Sequence, residues 1–170
     1  MKVFILISFF LSLMVTAQQK SESGIKHSLV VSGPRTMEIG EDGKPVWEYN
    51  KGSKDASKLK NGNYLVTYGN RVVEVTPDKK VVWDVTKKIP NTDITLGWMT
   101  CLQELPNGNY VIGNCHAGPK NPQIVELNKD KKVIWKFDQF ELVGNGLACW
   151  QILSEEQSAM IRKKLAELKK

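Results

Sequence analysis

A glutamate stands nine residues before a tryptophan three times along this chain: Glu38 and Trp47, Glu74 and Trp83, Glu126 and Trp135, where 47 − 38, 83 − 74 and 135 − 126 all give nine. The surrounding letters recur too. Leu59-Lys60-Asn61-Gly62-Asn63-Tyr64 returns as Leu105-Pro106-Asn107-Gly108-Asn109-Tyr110, and Lys80-Val81-Val82-Trp83 as Lys132-Val133-Ile134-Trp135. A self-similar unit of roughly 35–50 residues is the signature of a repeat architecture, in which each unit buries its apolar face against the next.

Within a unit the pattern is that of short strands. Val81, Trp83 and Val85 alternate onto one face, as do Val133, Trp135 and Phe137. Asn61-Gly62, Asn107-Gly108 and Asp42-Gly43 supply the positive φ that tight hairpins require, and Pro77-Asp78-Lys79 provides a further turn. Unit two therefore reads as strands at 56–59, 63–67, 71–76 and 80–85, a four-stranded antiparallel meander.

The chain ends extend the pattern. Unit one has a strand at 27–31 and two more after it, but lacks a first strand. After unit three, Ala148-Cys149-Trp150-Gln151-Ile152-Leu153 matches Thr100-Cys101-Leu102-Gln103-Glu104-Leu105, the first strand of unit three. The expected fold is all-β: about three four-stranded antiparallel blades of β-propeller type over residues 26–153, with the C-terminal strand completing the first blade. Ser154-Glu155-Glu156-Gln157 is a capping box. It opens a C-terminal amphipathic helix over 154–170, whose stripe Ile161, Leu165 and Leu168 is expected to pack on the repeat domain.

At the N-terminus Lys2 precedes an apolar run from Val3 to Val15 and small residues before Gln18, which reads as a signal peptide over 1–17 followed by a polar linker over 18–25. The run is too short for a membrane span of about 20 residues. The expected product is exported, periplasmic or extracellular, with no membrane span once the signal is removed. The net charge of +6 sits mainly in turn pairs such as Lys79-Lys80, Lys87-Lys88 and Lys131-Lys132. No basic face interleaved with aromatics forms, which excludes a nucleic-acid surface.

The opening Gly33-Pro34-Arg35-Thr36, the two Asn-Gly-Asn repeats, the Val-Glu-Val and Lys-Val-Val-Trp strands and Gly113-Asn114-Cys115-His116-Ala117-Gly118-Pro119 resemble exported bacterial β-propellers of the quinone-binding-like repeat family. The resemblance implies the propeller fold; the quinone in the label implies likeness of fold rather than binding. It also implies rings of six to eight units where this chain carries three. Either two chains form a homodimeric six-bladed ring, or the chain is a shortened relative.

Unit three carries an insertion at 114–122, and loops on a rigid sheet scaffold are where binding groups are placed. Asn114, Cys115 and His116 in that loop, with Trp98 and Trp150 at or before first strands, are the ligand-binding candidates. His116 is the weak catalytic candidate, as nucleophile or base. No metal-ligand spacing surrounds His27 or His116, and no cofactor is expected. The repeat glutamates Glu38, Glu74 and Glu126 and the repeat tryptophans read as structural and core residues. Cys101 and Cys149 hold equivalent positions in two first strands, and Cys115 competes for Cys101 across the hairpin, so the pairing stays open.

These features point to an exported, non-catalytic module that binds a small molecule, a glycan or a protein. The alternatives are a propeller enzyme resembling arylsulfotransferases and using His116, and a degenerate propeller fragment.

Overall fold

A computed structural model describes residues 26–169; the signal peptide expected at 1–17 and the linker expected at 18–25 lie outside the described residues. Three antiparallel sheets follow one another. Unit one holds β1 (Leu29–Val31), β2 (Thr36–Ile39) and β3 (Pro45–Tyr49). Unit two holds β4 (Ala56–Lys58), β5 (Tyr64–Tyr68), β6 (Arg71–Val75) and β7 (Val81–Thr86). Unit three holds β8 (Trp98–Glu104), β9 (Tyr110–Cys115), β10 (Ile124–Leu127) and β11 (Val133–Phe137). The helices α1 (Phe140–Val143) and α2 (Glu155–Glu167) follow the sheets. The fold is all-β with blade-like meanders and a C-terminal helix.

The nine-residue step is a cross-strand register. Glu38 faces Trp47, Glu74 faces Trp83 and Glu126 faces Trp135, and each ladder slips by one residue immediately after the glutamate. Such a bulge twists the outer hairpin and re-aims side chains. The Asn-Gly turns close with three residues rather than two. Leu59 donates to Asn63 and Gly62 to Leu59, with Gly62 at φ 85°, and the 105–109 turn repeats both bonds. The left-handed glycine is what a three-residue hairpin loop needs.

Alternation puts the two faces of unit two into different cores. Tyr64, Val66, Val73 and Val75 pack with Trp47 of unit one, while Leu65, Val72, Trp83 and Val85 pack with Met99, Tyr110, Ile112, Val125 and Leu127 of unit three. Both joints repeat the tryptophan–carbonyl and tyrosine–glutamate bonds, with a lysine supplied from a different position in each. Trp47 Nε1 donates to the carbonyl of Pro77 at 3.1 Å, and Trp83 Nε1 to that of Lys129 at 2.9 Å. Glu38 accepts from Tyr64 and Lys58, and Glu74 from Tyr110 and Lys129. The glutamates are structural, as their recurrence implied; the tyrosine of the next unit as their partner was not foreseen.

Three expectations change. The C-terminal segment does not complete the first blade: among the described residues its sheet has three strands, and residues 148–153 form no ladder. They lie instead beside β8. Gln103 donates to the Ile152 carbonyl at 3.2 Å and accepts from its amide at 2.8 Å. That is the place of the next first strand around the axis, and three units do not bring the chain back to unit one. Trp135 is not core: it is 40% exposed where Trp47 and Trp83 are 8%, because among the described residues no following sheet covers it. The helix α2 forms with its Ser154–Gln157 capping box but buries no residue, and Ile161, Leu165 and Leu168 stay exposed rather than packed on the repeats.

Burial alone would raise the Glu74 carboxyl, but hydrogen bonds from Tyr110, Asn63, Asn61 and Lys129 outweigh it and hold the group at about 2. A carboxylate depressed in the fold contributes fully above its ordinary value near 4.5 and loses that contribution as pH falls toward about 2. Glu74→Gln is therefore expected to cost about 2 kcal/mol at neutral pH, Lys129 being half in solvent. It should also flatten the loss of stability between those two pH values, as read by urea unfolding at a series of pH.

Candidate functional site

One loop cluster collects parts of all three units. Trp98 opens β8 and is 48% exposed. His116, just after β9, tilts against it at 40° with ring centroids 5.8 Å apart. Lys54, just before β4, sets its ammonium 4.6 Å from the Trp98 ring centroid, within range of a cation–π contact. Beside this trio opens a pocket of about 290 Å³ lined by Gly33, Ser53, Lys54, Thr67, Tyr68 and Met99.

Buried polar groups hold these loops. Asn114 is fully buried: its Oδ1 accepts from Gly97 N at 2.6 Å and its Nδ2 donates to the carbonyls of Thr95 and Pro122 at 3.2 and 3.0 Å. It therefore ties the segment entering β8 to the inserted loop. Thr67 Oγ1 accepts from the amides of Lys54 and Asp55 at 3.2 and 2.9 Å. Asp55 in turn accepts from Leu102 N and Ala56 N, bridging β4 to β8. Burial raises the Asp55 carboxyl against the pull of those two amides.

His116 adopts a left-handed backbone, φ 55°, held by its amide donating to Asn145 O at 2.9 Å. A non-glycine residue there carries strain of order 1 kcal/mol, and the result aims the ring at Trp98. Among the described residues no side chain hydrogen-bonds the imidazole, so no acid, base or nucleophile is paired with it. Nor do three His, Cys, Asp or Glu side chains among the described residues come together as a metal site.

Of the residues singled out in the sequence, the structure brings Trp98 and His116 together. Asn114 lies beneath them as an anchor rather than at the surface. Cys115 is buried, paired across the ladder with Trp98. Trp150 stands apart, its indole against Gly113, where an added Cβ would lie 2.6 Å from Nε1 and 2.4 Å from the Thr100 carbonyl. Lys54 was missed. Its signal was positional: Gly52-Ser53-Lys54 precedes the first strand of unit two as Leu96-Gly97-Trp98 enters that of unit three.

The cysteines resolve as well. Cys101 is the extra residue of a bulge between Thr100 and Leu102, with φ 54°, so it faces neither Asn114 nor Cys115. Its sulfur lies 3.3 Å from that of Cys149. Burial pushes the Cys101 thiol up to about 11; its contact with the Trp150 backbone opposes this, and Cys149 and Asp55 add to it.

Asn114→Ala would leave the Gly97 amide and two carbonyls without their partner, and is expected to destabilise the chain by about 3 kcal/mol in denaturant unfolding. A ligand-contact role would instead leave stability unchanged.

No family model matches the sequence, and no curated protein matches it. Among solved structures it is similar to a protein of unknown function from Bacteroides caccae, with a TM-score of 0.57 and 22% identity over 75% of this chain and 50% of that one. The chain thus spans about half the length of that neighbour, and the likeness is one of fold.

Proposed function

We propose that this chain is an exported, non-catalytic binding module of the propeller-repeat type, whose loop cluster holds a small ring compound bearing an anionic group. The observation that carries the reading is Trp98: half its surface is free, with an imidazole beside it and, on its ring, the ammonium of Lys54, which also lines the neighbouring pocket. A flat indole face takes a sugar or aryl ring, and Lys54 supplies the counter-charge for a carboxylate or sulfate. Export rests on the Lys2 and Val3–Val15 pattern, and the repeat family on the quoted motifs. The unpartnered imidazole gives the enzymatic reading of His116 no second catalytic group.

Glucuronate-containing oligosaccharides, with neutral counterparts as controls, are the probe. Titration calorimetry is expected to show binding of the acidic set, weakened about tenfold by Trp98→Ala and by Lys54→Ala, and altered less by His116→Ala. Equal binding by Trp98→Ala would sink the site.

A homodimer is supported by the two open outer faces. Leu29, Val31, Met37 and Ile39 of unit one hold the positions of Tyr64, Val66, Val73 and Val75, yet none is fully buried. Unit three offers Trp135 and Glu126 in the register that serves the two internal joints. Leu29 stands where those joints have a tyrosine, so pairing between copies is weaker than within the chain. Light scattering is expected to show a mass rising with concentration from one chain toward two, and Trp135→Lys to hold it at one; a concentration-independent single-chain mass excludes the ring of two halves.

A further inference from the structure

We propose that Cys101 and Cys149 form a disulfide that locks residues 148–153 onto β8. Three independent features converge on this pair. The two sulfurs are already 3.3 Å apart, against about 2.05 Å in the bond. The Cys101 bulge and its left-handed φ of 54° turn the side chain out of the β8–β9 ladder and toward the following segment. That segment has no backbone ladder of its own; among the described residues its hydrogen bonds to β8, apart from the thiol contacts, are the pair between Gln103 and Ile152, beside the packing of the Trp150 indole on Gly113. A covalent bond two residues from Gln103 adds the constraint that the missing ladder would have given.

The repeat explains why these two positions meet. Asp55, Cys101 and Cys149 are equivalent in successive units. The Asp55 carboxylate reaches the Leu102 amide of the next first strand, and the Cys101 sulfur reaches the carbonyl of Trp150, the residue equivalent to Leu102. In units two and three the side chain at this position thus spans to the neighbouring segment. In unit two it does so as a carboxylate; in unit three a thiol finds a second thiol there. Cys115 is buried on β9 and takes no part.

Oxidation needs an acceptor, here a small disulfide such as oxidised glutathione. The exposed Cys149 sulfur attacks it, loses its proton and releases one small thiol. Cys101 then attacks the Cys149 sulfur of the mixed disulfide, gives its proton to solvent and expels the second small thiol. Two protein thiols lose one electron each, and the small disulfide gains both. Cys149 is the entry point because it is exposed, whereas Cys101 is only partly so.

The reduced chain is incubated with oxidised glutathione, blocked with iodoacetamide and mapped by peptide mass spectrometry without reduction. The expected product is a cross-link between the peptides holding Cys101 and Cys149, lost in Cys149→Ser and kept in Cys115→Ser. Limited proteolysis within 144–153 is expected to slow several-fold on oxidation. A cross-link to Cys115, a bond only between separate chains, or both thiols still alkylated after oxidation would overturn the pairing. An unchanged proteolysis rate with the bond formed would overturn the lock.

Discussion

The arrangement of this molecule depends on a carboxylate at the joint between successive sheets. Glu74 is removed from water where the face of unit two meets unit three, and a buried carboxylate is tolerated only when donors surround it. Asn61 and Asn63 supply them from its own unit, Tyr110 and Lys129 from the next. Because half the donors belong to the neighbour, two sheets must stack in one register to satisfy the group. The apolar faces give the association its strength; the glutamate gives it position. Trp83 stands opposite Glu74 and closes the same joint through the Lys129 carbonyl.

Stacked in this way, the units bring their loops together at one place. Lys54 from the entry to unit two, Trp98 from the entry to unit three and His116 from the insertion come from segments far apart in sequence, and a polar bond ties the backbone at each: the Lys54 amide to Thr67, the Gly97 amide before Trp98 to buried Asn114, and the His116 amide to Asn145. The exposed side chains are therefore held by a rigid underlayer, which is the condition for a binding site that does not lose affinity to ordering its own loops.

The same logic exposes what the joints leave over. Trp47, Trp83 and Trp135 are the same residue in the same register, yet the first two are closed by the following unit and the third lies open. The first sheet is bare in the complementary sense, with the apolar face of Leu29, Val31, Met37 and Ile39 only half covered. The segment at 148–153 lies where the next first strand belongs, which places it against β8 and far in ring order from the sheet that lacks one.

The sequence by itself determined the units. A register of nine, three glycine turns and period-two alternation are local quantities, and they specified the hairpins, the meanders and the structural part played by the glutamates. The capping box likewise marked the start of α2, because capping is settled within four residues. Three-dimensional packing decided the rest. No local pattern states that Glu74 takes its donors from Tyr110, that Trp135 lies uncovered, or that Asn114 points inward while His116 points out. The bulge at Cys101 changes which thiol it meets, and a one-residue slip of that kind leaves no mark in an alternating run of letters. Lys54 reached the site for the same reason, since its neighbour Trp98 is supplied by another unit. Contacts between units depend on how the sheets stack, and stacking is a property of faces rather than of neighbouring residues.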